Sequence, residues 1–217
     1  MSIFEERDTF LAVIKRKQPY VVKIDGFVMQ VAQDVFPPDV GQTSVLLGRV
    51  LGKYRPCWAL DMGCGTGYLA MILKRNGALH VFAVDNHKPA LRCTRANIKR
   101  NLLGGIRVVE SNLFEKISTK ISFDLIVFNQ PYYPTQNVMF GMGRQGGHFI
   151  IEHFLSHAQE YLTDDGVVIM PFSEFVGTMH DPKHIAAQCG YGVKVIATKR
   201  TVLGKHYIYE FRKQNGQ

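Results

Sequence analysis

The chain has little cysteine, one tryptophan and no long hydrophobic run. No apolar stretch approaches the roughly 18 to 20 residues that a membrane-spanning helix needs. The opening residues, MSIFEERDTF, are acidic and mixed rather than basic and then apolar, so a cytoplasmic protein is expected. Cys57, Cys64, Cys93 and Cys189 are scattered without CxxC or Cys/His ligand spacing, which points to reduced, packed thiols and to neither a disulfide framework nor a metal site. GxSxG is absent, and so is GxxxxGK[ST], which sets aside covalent hydrolysis by an activated serine and P-loop phosphate chemistry. There is no internal repeat, low-complexity tract or linker, and 217 residues fit one core, so a single domain over residues 1–217 is expected.

What is present is an ordinary globular composition, 46% hydrophobic and 20% charged, with a formal charge of +8. A basic balance attracts phosphate-rich or acidic partners. Here it is spread over residues 15–17, 99–100 and 199–200, which equally describes a solvated basic surface.

Residues 3–17 carry apolar positions at helical spacing (Ile3, Phe4, Phe10, Leu11, Ile14) and predict a short leading helix. YVVKIDGFVMQVA predicts two strands turning at Asp25-Gly26. VFPPDVGQTSVLLGRVLGKY breaks at Pro37-Pro38 and enters a helix with a cap expected at Thr43 or Ser44. From residue 57 onward apolar strands (CWALDM, HVFAVD, IRVVES, FDLIVFN, GVVIMPF, YGVKVIATK, HYIYEFRK) alternate with helical stretches at 67–75, 88–102 and 147–162. Continuous apolar strands separated by helices imply a mostly parallel sheet covered on both faces. The last two strands, joined by TVLGK without a helix, imply an antiparallel hairpin at one edge. The expected fold is α/β and Rossmann-like, with seven strands, an N-terminal extension over 1–42 and a catalytic core over 43–213.

The first core strand ends in ALDMGCGTGYLAMIL. Gly63, Gly65 and Gly67 stand between strand and helix, where the backbone turns tightly and a ligand approaches closely. The second strand ends at Asp85, 18 residues past Gly67, placed to accept hydrogen bonds from two ribose hydroxyls or to cap the next helix. A dinucleotide fingerprint, GxGxxG, would need glycine where Tyr68 stands. Asp61, two residues before the first glycine, makes the stretch resemble the class I methyltransferase signature, an acid followed by xGxGxG. The resemblance continues through VDNHKPALRCTRANIKRN. It implies S-adenosyl-L-methionine as cofactor, with Asp61 at its amino-acid end, the glycine loop beneath it and Asp85 with Asn86 at the ribose. Asn112 and the Leu113 backbone amide would stand at the adenine, in VVESNLF.

FDLIVFNQPYYP places Asn129, Pro131 and Tyr132 at the carboxyl end of a strand, the edge where open α/β sheets bind ligands. The stretch is similar to the (N/D)PPY signature of methyltransferases acting on nitrogens conjugated to a π system, with Gln130 at the first proline position. Such a nitrogen is a poor nucleophile because its lone pair is delocalised. Acceptors gripping its NH₂ protons favour pyramidalisation, and the resemblance assigns that task to Asn129 Oδ1 and the carbonyl of residue 130. Tyr132 would stack on the planar group. Gln130 keeps the carbonyl but gives up proline's fixed φ.

The segment GRQGGHFIIEHFLSHAQEYLTDDGVVIMPFSE and VFPPDVGQTSVLL also resemble the small-domain and release-factor glutamine methyltransferase (HemK-like) group, in which Thr43 matches a cofactor-touching position. Only about 55 residues precede the first core strand, too few for the helical substrate-recognition bundle of the bacterial release-factor enzymes. The resemblance therefore implies methyl transfer to a macromolecule, a protein glutamine amide or an RNA exocyclic amine. A small-molecule N-methyltransferase and a catalytically silent cofactor-fold module stand as alternatives. His153 and His157, four apart beside Glu152, with His148 one turn earlier, are read as surface or packing residues rather than metal ligands.

Overall fold

The computed structural model describes residues 17–40, 42–130, 147–174, 181–201 and 204–214. The predicted leading helix lies outside these residues. The chain enters through an antiparallel hairpin, β1 (Tyr20–Ile24) and β2 (Phe27–Val31), paired from Tyr20↔Val31 to Ile24↔Phe27. Asp25 and Gly26 both have positive φ, 46° and 82°, as a two-residue turn matched to strand twist requires. Helix α1 (Gln42–Leu51) follows. It starts one to two residues before the expected cap, so Thr43 and Ser44 fall inside its first turn.

The main sheet then forms from β3 (Trp58–Met62), β4 (His80–Asp85), β5 (Ile106–Glu110), β6 (Phe123–Phe128), β7 (Leu162–Ser173), β8 (Tyr191–Thr201) and β9 (Gly204–Lys213), in the order β5-β4-β3-β6-β7-β9-β8. β3 to β7 are parallel, and β9 runs antiparallel to both β7 and β8. The α/β class, the seven strands and the terminal hairpin agree with the sequence. Helices α2 (Tyr68–Arg75), α3 (Lys88–Arg100) and α4 (His148–Ala158) match predicted stretches, the last ending in a 3₁₀ turn at Gln159–Tyr161. The seven-residue α5 (Pro182–Gln188) was not predicted, although Asp181 caps it by accepting from Lys183 N–H at 3.0 Å and Pro182 opens it.

Strand alternation divides the apolar side chains into two layers. Leu60, Met62, Ile126 and Phe128 pack with Phe154 and Leu155 of α4 and Ile185 of α5. Ala59, Leu125 and Val127 pack with Leu47 of α1 and Leu69, Ile72 and Leu73 of α2. Each such large side chain, buried from water, contributes roughly 1.5–3 kcal/mol. From β3 the chain winds outward to β4 and β5, then returns to lay β6 on β3's other side. The connections leaving β3 and β6 diverge at this reversal, opening a crevice at the carboxyl ends of the strands.

Candidate functional site

The crevice floor is the turn from β3 into α2. Gly63, Gly65 and Gly67 have φ of 67°, 54° and 81°, a region that side chains rarely adopt. Their surroundings separate their tasks. A Cβ on Gly67 would stand 2.8 Å from Thr94 Cγ2 of α3, and one on Gly63 would stand 3.3 Å from the Phe128 ring. A Cβ on Gly65 would meet nothing nearer than the Gly63 carbonyl at 4.0 Å. Gly67 thus permits close helix packing, while Gly65 faces open space that a ligand can occupy.

Three polar side chains hold this loop. Thr94 Oγ1 donates to the Gly65 carbonyl at 2.9 Å, and Asn97 Nδ2 donates to the Thr66 carbonyl at 2.9 Å. Asp61, 1% exposed, accepts from the Ala70 N–H of α2 at 2.9 Å and ties β3 to the first turn of that helix. Burial pushes its carboxyl up to about 8, against the pull of the Ala70 N–H, and the Asp85 charge adds to the rise. Cys64, between the glycines, is buried beside Thr94, and burial pushes its thiol up.

Asp85 ends β4 facing the loop. One carboxylate oxygen accepts from Gly65 N–H at 2.9 Å, and the other accepts from His87 N–H at 2.9 Å, at the entry to α3. Asp85 thus braces the glycine loop and, through the N–H of the N-cap residue His87, steadies the entry to α3. Burial raises its pKa, opposed by the same two N–H groups and by the Asn86 N–H. A carboxylate has about four acceptor directions, so capacity remains for hydroxyl donors. Asn86 is exposed beside it.

After β5, the exposed Asn112 donates its Nδ2 to Glu115 at 2.7 Å, which leaves its Oδ1 free of that bond. Leu113 has φ of 47°, an uncommon state for a branched residue that costs about 1 kcal/mol or more. Its side chain packs against the core, and the strained backbone sits at the rim of the crevice.

Asn129 leaves β6 half-buried and meets α1. Its Nδ2 donates to Ser44 Oγ at 2.9 Å, and its Oδ1 accepts from Thr43 Oγ1 at 3.2 Å. Two hydroxyls on successive residues of α1 thus hold the carboxamide at both its ends. Thr43, expected at the cofactor, is brought to Asn129. Gln130, 2% exposed, donates Nε2 to the Pro171 carbonyl of β7 at 3.0 Å, so a side-chain amide continues the β6–β7 pairing. Its Oε1 is buried without a partner among the described residues. Pro131 and Tyr132 lie outside the described residues.

Sequence reasoning missed Ser44, Thr94, Asn97 and Asn101. Asn97 on the buried face of α3 and Asn101 at its C-cap carry the N-terminal hairpin. Asn97 Oδ1 accepts from Gln30 N–H at 2.8 Å while its Nδ2 donates to the Gln30 carbonyl at 2.9 Å; Asn101 does the same to Val28, both at 3.0 Å. Helical residues four apart rise about 6 Å, close to the advance of two strand residues, so the pair acts as a neighbouring strand. Polar residues on an otherwise buried helix stripe were the available signal.

His153 and His157 are exposed on α4, their rings 4.5 Å apart. Among the described residues no helix is long and apolar enough to cross a membrane.

The methyltransferase small domain family model matches residues 26–200. The chain is 30% identical over 166 residues to a Methanocaldococcus jannaschii protein carrying the provisional name protein N5-glutamine methyltransferase, covering 72% of this chain and 81% of that one. It is 30% identical to the release factor glutamine methyltransferase of Aliivibrio fischeri over 51% of this chain and 44% of the relative. The fold superposes on the T. thermophilus 16S rRNA guanine-N2 methyltransferase, solved with AdoMet and guanosine, with a TM-score of 0.72 and 19% identity, over 91% of this chain and 50% of that one. The chain thus spans about half the length of these last two proteins. An acid–glycine loop at the reversal point of a seven-stranded sheet, in a chain matched over most of its length, places this protein in the methyltransferase small domain family, as an S-adenosylmethionine-dependent methyltransferase.

Proposed function

We propose that the protein transfers a methyl group to a π-conjugated nitrogen of a macromolecule, a glutamine amide of a protein or an exocyclic amine of RNA. The observation that carries this reading is the Asn129 carboxamide, oriented by Ser44 and Thr43 at the carboxyl end of β6. With Nδ2 donating to Ser44 and Thr43 donating to Oδ1, one lone pair of Oδ1 is left to accept from an NH₂ group. The Gln130 carbonyl is the second acceptor, and the Gln130 side chain, tied to β7, supplies the restraint that a proline ring would give. Gripping both protons favours a pyramidal nitrogen with its lone pair localised, and it stabilises the positive charge that develops there. Tyr132 and Pro131 complete the acceptor site in this reading, on the strength of the sequence alone.

The residues of the crevice fit the cofactor. The space over Gly65 accepts it, the remaining acceptor capacity of Asp85 suits the ribose hydroxyls with Asn86 beside them, and Asn112 Oδ1 with the Leu113 amide suits the adenine edge. When bound, S-adenosylmethionine supplies an electrophilic methyl group on a sulfonium. Asp61 acts from beneath the loop, holding β3 to α2, and its negative form favours the cationic amino-acid end.

The reading is supported by relatives named for protein glutamine and ribosomal RNA methylation, whose acceptors share an NH₂ group conjugated to a π system. Tritiated S-adenosylmethionine incubated with the protein and fractionated extract tests it. Macromolecular label that vanishes with protease assigns the acceptor to protein, and label that vanishes with RNase assigns it to RNA. Label confined to small molecules sinks the macromolecular reading. Calorimetric binding without turnover on any fraction marks a silent module.

A further inference from the structure

The exposed side of α3 carries a charge pattern that the fold does not use. Lys88, Arg92, Arg95 and Lys99 fall at intervals of four, three and four residues, all exposed. On a helix this spacing draws one straight stripe, opposite the buried residues Ala90, Cys93, Thr94 and Asn97. The stripe runs about 16 Å along the axis, and its first member stands three residues after Asp85, at the rim of the crevice. The helix has no acidic residue. Among the described residues the ion pairs are Lys183–Asp181 and Arg212–Glu210, so none of the four is paired with an acid there.

Folding alone gives no reason for this. Like charges one turn apart repel along the whole stripe, and a mixed surface would place acids between them. Lys88 stands in the first turn, where the helix dipole disfavours a cation; only Lys99 and its neighbour Arg100 in the last turn gain from it. A local rule broken without structural compensation marks a functional surface.

The composition of the stripe selects the partner. A protein interface needs a desolvated apolar or aromatic centre, and a membrane surface needs apolar groups to insert. Beside the charges this face offers only Ala96 and the half-buried Pro89. Phosphate backbones require neither, since affinity comes from counterion release along a line of cations, and the guanidinium fork matches phosphate oxygens. Of the acceptors in the proposed function only RNA presents such a line.

We propose that the outward face of α3 docks the phosphate backbone of RNA while the crevice engages its target. The proposal rests on the macromolecular reading of the acceptor.

The test uses the full chain and a labelled RNA hairpin, with a DNA duplex of equal phosphate number beside it, titrated across KCl concentrations. Four phosphate contacts give log Kd against log salt a slope of magnitude about 3. The double variant Arg92→Gln/Arg95→Gln should lower that magnitude by about 2, with weaker binding at every salt. Arg92→Lys/Arg95→Lys should keep it, and thermal midpoints should not fall in either. Comparable affinity for the DNA duplex supports recognition through phosphates, while wild-type slopes retained by the glutamine variant, or no hairpin binding at low salt, each overturn the proposal. So does loss of methylation confined to a protein acceptor, which assigns the stripe to an acidic protein surface. Tritium transfer from S-adenosylmethionine to fractionated extract by the same proteins separates the two readings. Label confined to small molecules sinks the macromolecular acceptor and leaves the salt slopes readable; macromolecular label with slopes unchanged in the glutamine variant sinks only the docking surface.

Discussion

At the scale of single residues, two side chains set the expected chemistry. Asn129 donates to Ser44 Oγ, accepts from Thr43 Oγ1 and keeps one lone pair of its oxygen. Asn129→Ala should lower turnover by roughly 10²-fold or more, the cost of deleting one preorganised partner of developing charge, while leaving cofactor affinity nearly unchanged. Single-turnover kinetics and calorimetry check this together, and parallel loss of both would show that Asn129 serves the cofactor instead. Asp61 carries a pH signature. Its folded pKa of about 8 lies above the unfolded value of about 4, so between these limits the unfolded chain ionises while the fold keeps the proton. Stability of the cofactor-free protein should therefore fall as pH rises through that window, relative to Asp61→Asn, which still accepts from Ala70. Urea midpoints of the two proteins at pH 5 and pH 8 decide the matter. A cationic cofactor favours the ionised form, so its binding near pH 7 should release a proton, read from heats in buffers of different ionisation enthalpy and lost in Asp61→Asn.

At the scale of elements, α3 is the hub. Its buried face holds the glycine loop through Thr94 and Asn97, and Asn97 with the C-cap residue Asn101 holds the N-terminal hairpin. Asn97 is fully buried and joins the two, bridging the carbonyls of Thr66 and Gln30. Replacing it with leucine keeps the volume but strands those carbonyls and the Gln30 N–H. Asn97→Leu should cost roughly 2–4 kcal/mol in urea denaturation and weaken cofactor binding, since the hairpin and the loop lose one anchor together. A loss below about 0.5 kcal/mol would mean that water replaces these bonds.

Across the whole molecule, cofactor and fold should be linked. S-adenosylmethionine at a hundred times its Kd adds about 2.7 kcal/mol of stability, roughly 5–11 °C in Tm for a domain of this size. Gly65→Val should abolish that gain, because its side chain enters the open space and its backbone is held at φ of 54°. Asn129→Ala should keep the gain. Thermal scans with and without cofactor distinguish the two variants.

The sequence alone settled the periodicities: apolar strands, amphipathic helices, the Asp-Gly turn, the glycines and Asp85 all depend on local spacing and backbone freedom. It also marked Asn129 and Gln130, but not what they touch. The α1 hydroxyls read as a helix cap and prove to orient a side chain 85 and 86 residues away. Asp85 allowed two readings, ribose acceptor and helix cap, and the packing of β4 beside the glycine loop adds a task that neither named, accepting from Gly65 N–H. Asn97 and Asn101 look like ordinary helix polar residues until a strand lies against them. Only tertiary structure decided these, because a hydrogen-bonding group carries no address for its partner along the chain; the fold supplies it by burying both where water cannot compete.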